Sequence, residues 1–410
     1  MYKIAVMGDR DSVLRFKALG LDVCPVENGE EGRAALHRMA KENYAIIYMT
    51  EQLAAQIPGE IARYQDALTP AIILIPGKEG SLGIGMNGVT TAVDAGTTGW
   101  RNFGDFKEHV IDATKVRVLA FIDIAAKGMH YTESEQAVAD INPRIAAAVA
   151  EEYSDVVVGI KSAHYWAKPA DAEHPIWASI DGALDAANRC GKIVMVDSIP
   201  IAGERPYPEI LAHLRPGDVH THVFAQQFPL MDEQGKMMPY MLSERARGVH
   251  FDVGHGSGSF WFRQAVGCFE QGFWPDTIST DLHHQNVTGP TIDLLYVASK
   301  FLAMGMPLED VLYRVTRAPA LTIHHEELGT LDTGACADIA VLRKREGKFG
   351  FMDCGGARLN GNSRLECVAT LRAGEVIFDP EAKSMPEWHD APESYWHAPG
   401  LTRGWTLWTD

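Results

Sequence analysis

Two series of candidate strands, each interleaved with helical patterns, constrain this chain more than any other feature. The first series is Lys3–Met7, Val23–Val26, Ala45–Met49 and Ala71–Ile75, with helical patterns at Ser12–Leu19, Glu30–Lys41 and Gln52–Ala67. The second is Val89–Val93, Arg117–Ile124, Val156–Lys161, Lys192–Asp197, Asp218–Phe224, Val249–Val253 and Thr277–Thr280. Its helical patterns fall at Phe106–Ala113, Pro143–Tyr153, Pro175–Arg189, Tyr207–Leu214, Glu244–Arg247, Phe260–Gln271 and Ile292–Met304. Strands alternating with helices predict α/β architecture with parallel sheets covered on both faces. The first series predicts a small doubly wound parallel α/β domain over residues 1–87. The second, with its longer period, predicts a (β/α)8 TIM-like barrel over 88–326 that lacks one strand at its front. Alternating runs at Leu328–Leu342 and Val368–Phe378, with turns at Cys354-Gly-Gly and Asn360-Gly-Asn, predict a partial β-sandwich over 327–380. Residues 381–410, rich in Trp, Pro and His, are expected to form an extended tail, as a strap over the barrel or a subunit contact.

Charge and cysteine usage narrow the function. The 410 residues carry 37 Lys and Arg against 54 Asp and Glu, a formal charge of −17, which argues against nucleic acid or an anionic membrane surface as partner. The six cysteines are scattered and include no C-x-x-C, so neither a disulfide framework nor a thiolate zinc site is expected. No apolar run approaches the ~20 residues of a membrane span, and Met1-Tyr-Lys-Ile-Ala-Val enters a strand at once. A soluble cytoplasmic protein with no signal peptide and no membrane insertion is the expectation.

Chemistry concentrates where the barrel strands end, because parallel strands open their carboxyl ends onto one face. Lys161 closes one strand, Asp197 another, His255 and Asp281 two more. His220 and His222 stand two apart, so a continuous strand would turn both to the same side. Imidazoles within reach of a carboxylate are typical transition-metal ligands, and the whole set suggests metal-assisted hydrolysis. Each residue also has a structural alternative: a hydrogen-bonded core histidine for His255, a helix N-cap for Asp281, an exposed charge for Lys161. The loop Gly8-Asp-Arg-Asp-Ser12 has one glycine and no Walker lysine, so it is a weak phosphate-binding signal.

Several stretches of the first segment closely resemble the F subunit of V-type (A/V-type) ATP synthases: Met7-Gly-Asp-Arg-Asp-Ser-Val-Leu, Phe16-Lys-Ala-Leu-Gly-Leu-Asp-Val, Tyr44-Ala-Ile-Ile-Tyr-Met-Thr-Glu-Gln-Leu-Ala, and Ile75-Pro-Gly-Lys-Glu-Gly-Ser-Leu-Gly-Ile-Gly-Met-Asn. The resemblance implies a stalk domain without catalytic residues, contacting rotary ATP synthase subunits through a C-terminal helix. That helix is absent here, since the sequence changes character at Gly88.

The second segment resembles the amidohydrolase superfamily, in its deacetylase branch related to dihydroorotases. The motifs that carry this are Gly88-Val-Thr-Thr-Ala-Val-Asp94-Ala-Gly, Gly159-Ile-Lys161, Gly217-Asp-Val-His-Thr-His222, Phe251-Asp-Val-Gly-His255-Gly-Ser-Gly-Ser-Phe, Asp276-Thr-Ile-Ser-Thr-Asp281-Leu-His, and Gly329-Thr-Leu-Asp-Thr-Gly-Ala-Cys-Ala-Asp338. The resemblance implies one or two divalent metals, usually zinc, with a carbamylated Lys161 as bridge and His222 and Asp281 as ligands. Asp281 would also carry the proton from hydroxide to leaving group, and His255 would stand near the small-molecule substrate. Two departures are visible. The family's His-x-His on its first strand has no counterpart before Val89, and Asp197 stands where a histidine usually ends the fifth strand, with Asp197 and His220 as the remaining candidate ligands. Losing the His-x-His is expected to lower metal affinity by orders of magnitude. The expected function is deacetylase-type hydrolysis of an amide C–N or acetyl ester bond. A V-type ATP synthase stalk role and a catalytically dead interaction module are the alternatives, and a homo-oligomer is possible in any of them.

Overall fold

The computed structural model describes residues 3–19, 21–42, 44–57, 60–61, 63–64, 70–75, 87–283, 286–287, 289–392 and 395. Two parallel sheets dominate it. In the first, β1 (Lys3–Gly8), β2 (Asp22–Pro25), β3 (Tyr44–Thr50) and β4 (Ala71–Ile75) lie in the order β2-β1-β3-β4. The helix Gly29–Lys41 shows why the chain folds this way. Asn28 caps it by accepting the Glu31 N–H at 3.0 Å, and the Glu31 carboxylate in turn accepts the Glu27 N–H at 2.9 Å. Its Gly32, Ala35, Leu36 and Met39 repeat at helical spacing and are buried with Met7, Ile47 and Met49 of the strands. The expected helix Gln52–Ala67 is realised as Glu51–Gln56, with 65–69 outside the described residues.

The sequence offers Ala71–Ile75 as the nearest candidate for the missing front strand of the barrel, with a place beside Lys3–Met7 in the first sheet as the expectation; β4 does lie in the first sheet. It pairs with β3, from Ile46 opposite Ala71 to Thr50 opposite Ile75, rather than with β1.

The second sheet contains β5 (Thr91–Gly99), β6 (Arg117–Asp123), β7 (Val157–Ser162), β8 (Ile193–Val196), β9 (Val219–His220) and β10 (His250–Phe251), in sequential parallel order. The expected strand at Thr277–Thr280 is reduced to a bridge from Asp252 to Thr277. Backbone bonds from His255 N–H to Ser279 O at 3.3 Å and from Gly256 N–H to Thr280 O at 3.0 Å continue it. Among the described residues β5 pairs with β6 alone. Ala-rich helices Pro143–Glu152 and Ala178–Cys190 press small faces onto the outer side of the sheet; Ala146, Ala150, Ala183 and Ala187 are fully buried.

Beyond the barrel, β11 (Ile339–Met352), β12 (Arg358–Arg372) and β13 (Glu375–Phe378) form an antiparallel sheet in that order. Asn360-Gly-Asn is not the turn its composition suggests: Gly361 pairs with Phe349 inside the long hairpin. A Cβ there would come within 2.8 Å of the Phe351 ring and 2.9 Å of Ala303, so the glycine is needed where β12 crosses the helix Leu294–Ala303. The turn lies at Cys354-Gly-Gly, as expected. Much of β11 is exposed. His389 is exposed and pairs with Asp390; Trp396 and His397 lie outside the described residues. Among the described residues no helix is long and apolar enough to cross a membrane.

Candidate active site

Register brings the first polar groups together. Asp123 at the end of β6 stands opposite Lys161 near the end of β7, which in turn stands opposite Met195 in β8. Lys161 is 2% exposed, and its stem passes Gly96 so closely that a Cβ there would sit 2.8 Å from Lys161 Cγ. The Lys161 ammonium is central to the field of the mouth: it favours ionisation of Asp94, Asp123, Asp197 and Asp281 alike. Burial nevertheless keeps the Asp123 acid well above the usual carboxylate range, with Glu135 adding to it. Asp123 Oδ1 accepts the Ala125 N–H at 2.7 Å, while its buried Oδ2 has no hydrogen-bond partner.

Asp197 and His222 form the tightest charged contact. His222 Nε2 lies 3.0 Å from Asp197 Oδ2, and His222 Nδ1 lies 2.6 Å from Gly254 O, which fixes Nδ1 as the donor. Burial alone would pull the imidazole pKa down. The Asp197 carboxylate, with help from Asp281, raises it to about 9. Burial pushes Asp197 up, but His222, Lys161 and His164 outweigh it and hold the acid below its ordinary range. His164 brings Nε2 within 3.7 Å of the same Asp197 oxygen and bonds the buried Glu135 through Nδ1 at 3.3 Å. Asp197 is thus engaged from two sides.

His220 departs from the expected arrangement. Strand geometry ends at His220, and His222 takes a left-handed φ of 61°, so the two-residue alternation does not reach it. The His220 ring lies edge-on to Tyr207, Phe228 and Phe251, at centroid separations of 5.3, 4.7 and 6.0 Å. Neither ring nitrogen has a hydrogen-bond partner, and burial lowers its pKa to about 3. It is a neutral core histidine in an aromatic box, within the field of Asp197, His222 and Lys161.

His255 is also fully buried. Lys300 Nζ lies 2.6 Å from its Nε2, the Thr291 hydroxyl lies 3.1 Å from its Nδ1, and Phe260 stacks on the ring at 4.7 Å. Burial, then the Lys300 charge, lowers its pKa to about 3. The structural alternative describes its surroundings well.

Asp281 sits at the mouth with φ 45°, a conformation that costs an aspartate energy. Desolvation of the carboxyl pushes its pKa up against the pull of His222 and Lys161. Gly256 makes the space, since a Cβ there would lie 2.6 Å from Asp281 Oδ2. Beneath it Asp252 binds the hydroxyls of Thr221, Thr277 and Ser279 at 2.6–2.7 Å, tying three strand ends together.

Sequence reasoning therefore located Lys161, Asp197, His222 and Asp281 on one rim and missed Asp123, Glu135, His164 and Lys300. Asp123 was legible, as a carboxylate closing an apolar strand; Glu135 and His164 lie in loops with no pattern to mark them. The residues do not fit a two-metal centre: among the described residues no group of three His, Cys, Asp or Glu donors is placed to hold a metal ion, and Asp197 occupies His222 Nε2.

Comparison with known proteins divides the chain in two. Residues 4–93 match the family described as ATP synthase (F/14-kDa) subunit, a match that runs into the start of β5. The V-type ATP synthase F subunit of Fusobacterium nucleatum is 53% identical over 94 residues, 23% of this chain and 90% of that protein. A deacetylase of Agrobacterium fabrum is 35% identical over 266 residues, 62% of this chain. The chain spans 62% of that deacetylase's length. A crystal structure of a dihydroorotase superposes with a TM-score of 0.64 at 30% identity, covering 72% of this chain and 78% of that one.

Proposed function

Since the chain belongs to two families at once, the ATP synthase F/14-kDa subunits at its start and the amidohydrolase superfamily through the barrel that follows, we propose that its barrel is a deacetylase-type hydrolase. Its substrate class is a small molecule with an amide C–N or acetyl ester bond. The observation that carries this is the meeting of Asp281, His222, Asp197 and Lys161 where the strands end. Asp281, its acid raised by burial, is the proton carrier. His222, kept charged by Asp197, and Lys161 supply positive charge for an oxygen that becomes negative during acyl transfer.

The group the family implies is a divalent metal, zinc first. Lys161, His222, Asp281 and Asp197 are the residues that would hold it, and its chemistry would be activation of water. The geometry as folded does not assemble that donor set, so no step is derived through it. The test is metal analysis of the purified chain with panels of N-acetyl amino acids and acetyl esters, with and without added zinc. Turnover that disappears in Asp281→Asn sustains the reading; no turnover under either condition overturns it.

A second reading, an interaction module without catalysis, is favoured by a β5 edge that no strand among the described residues covers and by the engagement of His222 with Asp197. The F-family match names the partners to look for: co-purification of rotary ATPase stalk subunits with the intact chain would support a stalk role. The F-family match gives way to the barrel with no described strand ahead of β5 in its sheet, which favours a recombination or assembly event at the join. Amplification across the codons for residues 80–95 tests this; a single intact frame transcribed whole overturns the assembly explanation.

A further inference from the structure

Lys300 projects from the helix Leu294–Ala303 into the interior and is fully buried, its Nζ 5.5 Å from the centre of the Phe260 ring and 4.9 Å from that of Tyr296. Its Nζ reaches His255 Nε2 and Pro290 O, each at 2.6 Å. Burying an amine is costly unless its hydrogen bonds are satisfied, and here they join two segments far apart in sequence. Thr291, next to Pro290, donates its hydroxyl to Gly256 O at 2.7 Å and contacts the other nitrogen of His255. The segment then folds back: Ile292 N–H bonds Asn286 O at 3.2 Å. The buried Asn286 side chain donates to Asp281 O at 2.7 Å and accepts the His283 N–H at 2.8 Å. A continuous set of bonds thus runs from Lys300 to the backbone of Asp281, whose φ is left-handed.

We propose that Lys300, Thr291 and Asn286 are positioning residues for Asp281, and that His255 belongs to the same bolt rather than to the substrate surface. The kinetic part of this proposal rests on the hydrolase reading; the structural part does not. Lys300→Met removes the amine while keeping an apolar stem. Amide exchange over residues 281–293 should rise about tenfold, the imidazole nitrogen resonance of His255 Nε2 should shift, and β7 and β8 should keep their protection. Asn286→Ala should raise exchange over the same residues while leaving the His255 resonance in place. If the intact chain hydrolyses a panel substrate, both variants should lose kcat with KM unchanged, because the proton carrier and not the binding surface has moved. Unchanged exchange over 281–293 in both variants overturns the proposal, and that readout holds even for a chain with no turnover, so its failure is distinct from that of the hydrolase reading.

Discussion

Asp9 and Asp281 both follow an expected strand, yet the two parts of the chain use them differently. Asp9, just past β1, accepts the Ser12 N–H at 3.2 Å and the Ser12 hydroxyl at 2.6 Å, capping the helix Arg10–Val13 that begins at the next residue. In the barrel the same kind of strand end is followed by a loop: Asp197 is separated from the helix Tyr207–His213, and Asp281 from the helix Leu294–Ala303. A carboxylate one residue before a helix is consumed by orphan N–H groups. One that precedes a loop is left to meet the side chains of neighbouring strands, as Asp197 meets His222 and His164. Distance to the next helix, rather than the residue type, separates a cap from a candidate catalytic group.

The largest effect that sharpens this contrast is on turnover. Asp281→Asn should reduce kcat/KM by about 10²–10⁴ on any panel substrate the intact chain hydrolyses, with circular dichroism unchanged; retained turnover would place Asp281 with the caps. Next in size is a packing change in the first sheet. Leu36→Ala, at a fully buried position, should cost about 2–5 kcal/mol, seen as faster amide exchange in β1 and β3. Barrel strands that loosened equally would show that the two sheets do not hold separate cores.

A third effect depends on pH. The His222 pKa is raised to about 9, so its pairing with Asp197 stabilises fully below the unfolded value near 6.5 and is lost as pH climbs through about 9. The Asp197 acid is lowered, so its share is present above the unfolded value of about 3.9 and is lost as pH falls through its lower folded value. Thermal melting should therefore drop between about pH 6.5 and pH 10, and Asp197→Asn should flatten that drop. The smallest effect is at the cap: Asp9→Ala should cost about 1 kcal/mol in denaturant unfolding and leave hydrolysis untouched.

Strand positions were legible because apolar runs bounded by helical patterns have one economical arrangement. The helices expected from Glu30 and from Pro143 begin within a residue of those positions, where Asn28 and Asn142 cap them, Asn142 accepting the Ile145 N–H at 3.1 Å. The helices Leu308–Val315 and Arg317–Thr322 went unanticipated. The second is interrupted by Pro319, which hides its period. His220 shows the other limit: its two-residue spacing from His222 was correct, but the strand stopped between them.

By itself the sequence determined two parallel α/β units and a rim bearing Lys161, Asp197, His222 and Asp281, because periodicity and strand-end position are local properties. Only the tertiary structure decided that His220 faces an aromatic box, that Lys300 reaches His255 from a distant helix, and that Asp197 takes the nitrogen of His222. Those outcomes depend on where a strand stops and on which side chains meet across loops, and contacts of that kind leave no period in the chain to be read.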